Sequence, residues 1–233
     1  MKISILTLFP EMFTGPFTES ILKRAQEKGL VEIELLNIRD FGIGSHLMVD
    51  DTPYGGGIGM VLKVDVVHQA IEKAKENYVG DGEVKRKIFL TAAGGKTYKQ
   101  EDAKAYSQLD HLIIICGHYE GVDDRIMQYI DGEISIGDFV LTGGEIPAML
   151  ITDSITRLIA GVITEGATED ESFSQPGQAL LEYPHYTRPH SYDGQDVPAI
   201  LLSGDHKKVA EWRHAKALEK TKKHRPDLLE KKD

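Results

Sequence analysis

Two short, uninterrupted apolar runs constrain the fold of this chain more than any other feature of its sequence. They form the centre of residues 87–91, as Ile88-Phe89-Leu90, and the whole of residues 112–116. An apolar run without alternation is typical of a strand covered on both faces, as in a parallel sheet. Helical patterns separate these runs from other short strands, and such alternation predicts an α/β domain with a mostly parallel sheet.

The remaining elements follow from apolar periodicity and from glycine or proline at their ends. After Gly161 the periodicity stops, and residues 161–204 are rich in Gly, Thr, Pro and acidic residues. We therefore predict an α/β domain over 1–160, a linker over 161–175 and a small helical C-terminal domain over 176–233. The further predicted strands are 3–8, 31–36, 133–136 and 139–141, and the predicted helices are 20–29, 65–77, 100–109, 122–130, 145–159 and 206–224.

Charge is distributed unevenly along the chain. The 27 Lys and Arg against 37 Asp and Glu give a formal charge of −10, which by itself argues against a nucleic-acid partner. Residues 205–233, however, hold ten basic and six acidic side chains, a balance of +4 that leaves −14 for the rest. This basic C-terminal segment is a candidate for contacts with phosphates.

The single cysteine, Cys116, excludes an internal disulfide and any zinc or iron–sulfur site with several cysteines. The N-terminal apolar run is too short for a signal peptide and lacks a cleavage site of small residues. No apolar stretch approaches the roughly 20 residues that a membrane helix needs. We expect a cytoplasmic protein without a membrane partner.

Three glycine-containing turns, at 90–95, 116–125 and 135–145, follow predicted strands. Ligands collect outside the carboxyl ends of parallel strands, and small residues there expose backbone N–H and C=O groups. The turns together predict a cofactor pocket. A fourth glycine-rich segment, 49–60, is neither a phosphate loop nor a GxGxxG motif, because Met60 occupies the last position. This argues against a Rossmann-type oxidoreductase and favours a shaped recognition loop.

At this point the motifs resemble those of the bacterial tRNA (guanine-N1)-methyltransferases, the TrmD family. The resemblance spans essentially the whole chain. Its motifs are VDDTPYGGGIGM at 49–60, CGHYEG at 116–121, SIGDFVLTGGE at 135–145, YPHYTRP at 183–189, LSGDH at 202–206, and Trp212-Arg213.

The resemblance implies a SPOUT-type α/β domain whose mostly parallel sheet contains a deep trefoil knot within roughly 87–144. It further implies a homodimer with active sites shared between subunits, S-adenosylmethionine as cofactor and the tRNA anticodon stem-loop as partner. The implied cofactor-binding residues are Phe89, Leu90, Thr91, Gly117, Tyr119, Gly121, Ser135, Ile136, Gly137, Leu141, Gly143 and Gly144. The expected RNA contacts are Asp51, Tyr54, His185, Arg188 and Arg213, with Lys216 as a further candidate.

The implied reaction methylates N1 of the guanosine immediately 3′ of the anticodon when another guanosine precedes it. Guanine N1 carries a proton at neutral pH, so a carboxylate has to act as general base. A cation beside O6 stabilises the charge that develops there. By resemblance, Arg157 is this cation and Glu120 supports the site.

The general base lies where the sequence departs from the family pattern Asp-Ser-Phe. Residues 168–173 read TEDESF, so matching Thr-Glu-Asp selects Asp170, whereas matching Ser-Phe selects Glu171. We prefer Asp170. An alternative is an RNA-binding protein that keeps the fold but has lost catalysis through this altered stretch. The family also implies stimulation by Mg²⁺, although the sequence contains no metal-binding motif.

Overall fold

A parallel sheet forms the centre of the N-terminal part of the chain, as the apolar runs predict. Five strands follow the order β2-β1-β6-β5-β7, and all neighbours are parallel. Two two-stranded antiparallel ladders, β3–β4 and β8–β9, lie apart from this sheet. The strands are β1 Lys2–Thr7, β2 Glu32–Asn37, β3 Asp50–Asp51, β4 Val61–Leu62, β5 Arg86–Thr97, β6 His111–Cys116, β7 Gly132–Ser135, β8 Ser191–Tyr192 and β9 Gln195–Asp196.

The computed structural model describes residues 1–80, 82–174 and 180–229. The chain divides into two compact units, Met1–Ile163 and Thr164–Asp233. This division falls inside the predicted linker, whose end at 175, like the predicted domain start at 176, lies outside the described residues. The helices are α1 Thr14–Phe17, α2 Ser20–Glu27, α3 Val64–Glu76, α4 Gln100–Tyr106, α5 Glu145–Thr156 and α6 His206–His224.

Helices cover both faces of the sheet. In β6, Leu112 and Ile114 belong to one buried cluster, whereas Ile113 and Ile115 belong to the other. The first cluster includes residues of α1, α2 and α5, and the second includes residues of α3. Successive side chains of a strand point to opposite faces, so a strand between two helical layers is apolar over most of its length. The α/β prediction is confirmed.

Three predicted elements differ in the structure. The turn predicted after residue 91 is a continuation of β5, whose pairing with β7 shifts register between Thr91 and Lys96. The predicted helix 122–130 is a short 3₁₀ helix, Asp124–Gln128. The predicted strand 139–141 does not form, because the Ser135 hydroxyl accepts a hydrogen bond from Gly137 N and a tight turn follows.

The second unit contains the predicted C-terminal helix. In α6 only Ala217 and Thr221 are buried. The Thr221 hydroxyl donates a hydrogen bond to the Ala217 carbonyl and accepts one from Leu181 N. The second bond connects the segment around Leu181 to α6. Asp205 caps the start of α6 by accepting a hydrogen bond from Lys208 N. Within the ranges that the structure describes, no helix is long and apolar enough to cross a bilayer.

Candidate active site

A cavity of about 470 Å³ lies at the carboxyl ends of β6 and β7, beside the part of β5 where its pairing with β7 shifts register. Segments 90–93, 117–122 and 133–144 form most of its wall. Every predicted cofactor-binding residue lines it except Phe89, whose side chain is buried in the core with its ring 4.9 Å from that of Tyr106. Glu120 also lines the cavity. The structure thus brings the three glycine-containing segments together.

Backbone contacts join the three segments at one point. Gly144 N donates a 2.8 Å hydrogen bond to the Gly117 carbonyl. The Thr91 hydroxyl accepts a 3.2 Å hydrogen bond from Gly117 N and donates to the Ile115 carbonyl. A β-carbon on Gly144 would overlap Thr91 Oγ1 and would lie 2.7 Å from Gly117 N. Position 144 therefore requires glycine, because the neighbouring atoms are already closer than a side chain permits.

Tyr119 has a strained backbone at the wall of the cavity. Its φ is 59°, in the left-handed region that bulky residues rarely adopt. The hydrogen bond from Gly121 N to the His118 carbonyl closes the turn around it, and the Tyr119 ring remains exposed. Strain of this kind persists only where the surroundings impose it, and it clusters at ligand sites.

A buried polar group lies behind the third segment. Glu145 is 2% exposed and accepts a 2.8 Å hydrogen bond from the Thr7 hydroxyl. A β-carbon on Gly143 would contact both Glu145 Oε2 and His118 Nδ1. Among the residues that the structure describes, His118 Nδ1 has no hydrogen-bond partner. Neither side chain was predicted as a site residue, although both lie inside the segments that carry the family resemblance.

Cys116 lies at the end of β6, next to this group. Burial raises the pKa of its thiol well above the usual value, and the nearby Glu145 carboxylate raises it further. The thiolate is the reactive form of cysteine, so Cys116 is a packing residue here.

The glycine-rich segment 49–60 is bonded to the second cavity segment through the backbone. Glu120 N donates to the Met60 carbonyl, and Leu62 N donates to the Gly121 carbonyl, both at 3.0 Å. Two predicted RNA contacts, Asp51 and Tyr54, lie on this segment with exposed side chains.

Arg157 lies at the opposite end of α5 from the cavity. The helix begins at Glu145, beside the third cavity segment, and Arg157 follows its last residue. Twelve residues of helix at about 1.5 Å each separate the two by roughly 18 Å. A single chain therefore does not bring Arg157 to its own cavity.

The two candidate bases belong to the second unit. Residues 164–174 form consecutive turns, in which the Ser174 hydroxyl donates a 2.6 Å hydrogen bond to the Glu169 carbonyl. Asp170 is exposed, whereas Glu171 is partly buried and engaged in a further contact.

Two of the predicted RNA contacts in the second unit meet at Tyr183. The Arg213 guanidinium lies 4.9 Å from the centre of the Tyr183 ring, and the His185 ring lies 4.7 Å from it. His185 Nε2 is also 2.7 Å from a carboxylate oxygen of Glu182. Arg188 is exposed on the same unit. Cations and aromatic rings side by side suit contact with phosphates and bases.

Metal-binding side chains do not cluster in the described part of the chain. No group of three or more His, Cys, Asp or Glu side chains there could hold a metal ion. The described side chains therefore do not fit a metal site made of protein ligands, and no step of the proposed reaction involves a metal.

Comparison with known proteins gives a consistent result. The family described as tRNA (Guanine-1)-methyltransferase TrmD matches residues 1–231. The tRNA (guanine-N(1)-)-methyltransferase of Desulforudis audaxviator is 52% identical over 231 residues, which cover 99% of this chain and 90% of that protein. The enzyme of Geobacter metallireducens is 50% identical, with 99% and 92% covered. That of Bacillus cereus is 48% identical, with 100% and 93% covered. The chain belongs to the tRNA (guanine-1)-methyltransferase TrmD family.

Proposed function

We propose that this protein transfers the methyl group of S-adenosylmethionine to guanine N1 in tRNA. The target is the guanosine immediately 3′ of the anticodon, preceded by another guanosine. The observation that carries the proposal is the cavity at the carboxyl ends of β6 and β7 and beside the middle of β5. Two of the three segments in its wall, at 117–121 and 135–144, belong to motifs through which the chain resembles its family.

The residues around the cavity fit S-adenosylmethionine. The volume of about 470 Å³ suits a ligand of this size. Leu90, Leu141 and Pro147 offer apolar surface to an adenine ring, whereas the segments at 117–121 and 135–137 offer backbone N–H and C=O groups. The bound cofactor supplies an electrophilic methyl group on a sulfonium, whose departure needs no proton from the protein.

Three side chains have distinct proposed roles in the transfer. Asp170 takes the proton from guanine N1, which frees the nitrogen lone pair for attack. The Arg157 guanidinium donates hydrogen bonds to O6 and stabilises the negative charge that develops there. Glu120, at the cavity wall, helps to couple the cofactor end of the site to proton transfer.

The position of Arg157 supports a homodimer with shared active sites. About 18 Å of α5 separate Arg157 from the cavity of its own chain, so we propose that a second copy supplies it. Ile146, Leu150, Asp153 and Arg157 follow one another at helical spacing, and the first two are large apolar side chains exposed on α5. An exposed apolar stripe that ends in a catalytic cation suits an interface between copies of this chain.

The second unit is the proposed tRNA-binding surface. Helix α6 holds seven Lys and Arg against two Glu, and most of it is exposed. Such a helix contributes affinity that weakens with salt, while specificity comes from a guanine taken out of its stack. The Tyr183 cluster, consisting of Tyr183, His185 and Arg213, and the exposed Asp51 and Tyr54 are the proposed contacts beyond the phosphates.

Three expectations remain predictions: the trefoil knot within 87–144, the cytoplasmic location, and stimulation by Mg²⁺. For the metal, the test is transfer after chelation and after readdition of Mg²⁺, with tRNA binding measured in parallel. If Mg²⁺ changes only the affinity for tRNA and not the rate of methyl transfer, the ion acts on the RNA.

The experiment that tests the function is methyl transfer from labelled S-adenosylmethionine to anticodon stem-loop transcripts. We expect transfer to a transcript with two guanosines at the target and its 5′ neighbour, and a block to reverse transcription at the methylated base. Replacing the target by adenosine should abolish transfer, and replacing the preceding guanosine should reduce it strongly. Normal binding of the first transcript without transfer would favour the RNA-binding protein that has lost catalysis.

A further inference from the structure

We infer that Gly59 is a positioning residue for Glu120: the glycine leaves open the space that the Glu120 carboxyl group occupies at the cavity wall. The inference rests on the proposed function, because it assigns Glu120 a place at the reacting site. It adds a residue of the glycine-rich segment to the machinery for methyl transfer.

The contact between the two residues is close. A β-carbon on Gly59 would lie 2.6 Å from Glu120 Cγ, 2.7 Å from Oε1 and 3.0 Å from Cδ. Atoms do not approach a β-carbon this closely, so any other residue at position 59 would displace the Glu120 side chain. The φ of Gly59 is +95°, which also favours glycine there.

The backbone keeps the two residues side by side. Glu120 N donates to the carbonyl of Met60, the residue after Gly59, and Leu62 N donates to the carbonyl of Gly121, the residue after Glu120. These two hydrogen bonds flank the Gly59–Glu120 contact. The C-terminal end of the glycine-rich segment is therefore hydrogen-bonded to the backbone on both sides of the Gly59–Glu120 pair.

The Glu120 side chain is exposed, and its carboxyl group occupies space that the absence of a side chain at Gly59 leaves open. Within the described ranges, the Glu120 side chain forms no hydrogen bond or ion pair. Its neighbours Tyr119 and Gly121 line the cavity with it. An added methyl group at position 59 would meet the flexible end of the side chain, not the backbone. The expected consequence is a displaced carboxylate in an otherwise intact fold.

The same segment provides a matched control. Gly56 has a φ of +78°, similar to that of Gly59, but a β-carbon there would meet nothing within 4 Å. Gly56→Ala therefore introduces a similar backbone strain without touching Glu120. The difference between Gly59→Ala and Gly56→Ala isolates the contact.

The test compares single-turnover methyl transfer, KM for tRNA, affinity for S-adenosylmethionine and melting temperature in the two variants. We expect similar melting temperatures and similar KM values. The rate constant of Gly59→Ala should be lower than that of Gly56→Ala by about tenfold or more, since a displacement of about 1 Å can cost up to about a hundredfold.

A double-mutant cycle assigns this loss to Glu120. In a Glu120→Ala background, which removes all three contacted atoms, Gly59→Ala and Gly56→Ala should transfer at equal rates. If Glu120→Ala transfers slowly, its rate constants are measured at higher enzyme concentration and over longer reaction times. Two results would overturn the role of Gly59. One is an equal loss of rate constant in Gly59→Ala and Gly56→Ala in the wild-type background. The other is a larger loss in Gly59→Ala that persists in the Glu120→Ala background. Absence of transfer by the wild-type protein would instead reject the proposed function.

Discussion

The amide of Gly144 donates a 2.8 Å hydrogen bond to the carbonyl of Gly117, and this bond joins two of the three segments that form the cavity. The two glycines come from the ends of different structural elements, and each approaches Thr91 more closely than a side chain would allow. The cavity therefore depends on a junction of backbones packed in direct contact.

A larger residue at this junction should lower both the stability of the fold and the affinity for the cofactor. We expect Gly144→Ala to lower the free energy of unfolding by roughly 1–3 kcal/mol, the usual cost of overpacking. Affinity for S-adenosylmethionine should fall by about tenfold or more, because the cavity wall has to shift. Denaturant unfolding and calorimetric titration measure the two effects. Gly94→Ala is the control, since a β-carbon there meets nothing within 4 Å. Equal effects of the two substitutions would contradict the prediction.

Asp170 and Glu171 are separable by conservative substitution. We expect Asp170→Asn to reduce single-turnover transfer by about 10²–10⁴-fold, the usual contribution of a general base. Glu171→Gln should weaken transfer mildly, because Glu171 is partly buried and already engaged in another contact. tRNA binding of both variants is the control. The reverse order of the two losses would move the base to Glu171.

Mixed dimers test whether the sites are shared. If Arg157 serves the cavity of the other subunit, a dimer of one Arg157→Ala chain and one Glu120→Ala chain contains one intact site. Random mixing of the two strongly impaired variants should then restore about a quarter of wild-type transfer, because about half of the dimers are mixed and each has one intact site of two. No recovery after subunit exchange, verified by mass spectrometry, would place Arg157 and Glu120 at the same chain's site.

Acid should destabilise the fold through His111. Arg86 Nε donates to His111 Nδ1, so the proton of the neutral ring is on Nε2, 2.9 Å from the Ser4 hydroxyl, which itself donates to Glu34. Burial, together with the positive charges of Arg86 and Lys2, lowers the pKa of His111 to about 4.

The lowered pKa of His111 determines the direction in which stability changes with pH. The unfolded chain binds the His111 proton below about pH 6.5, but the folded chain does not until about pH 4. Stability should therefore fall by up to roughly 3 kcal/mol as the pH drops through that window, on top of any other titration. Urea unfolding between pH 7 and 4 measures the fall. His111→Gln should be less stable at pH 7 and should show a flatter profile, and an unchanged slope would refute the assignment.

The thiol of Cys116 should be unreactive in the folded protein. The side chain is buried, so a reagent does not reach it. Burial and Glu145 raise its pKa, so the thiol does not ionise to the reactive thiolate. We expect an aromatic disulfide reagent to label the native protein only as fast as it unfolds, and to label one thiol per chain at once in denaturant. Rapid labelling without denaturant would show that the end of β6 opens.

Much of the fold is predictable because it depends on local patterns. The uninterrupted apolar runs at β5 and β6 predict strands covered on both faces, and the structure confirms this through the alternation of Ile113 and Ile114 between two clusters. Helix α6 was predicted over its observed range, since its periodicity and its Asp205 cap are both local. The predicted strand 139–141 was wrong, because the Ser135 hydroxyl competes for the backbone through a contact that hydrophobicity does not encode.

The sequence by itself determined the class of the fold, the family and the three glycine-containing segments, since these depend on which residues occur in which order. The tertiary structure decided which residues meet. It joins Gly144 to Gly117 and places Glu120 against Gly59. Such relationships depend on how distant segments pack, where a single β-carbon decides whether two backbones can touch. No local pattern in the chain carries that information.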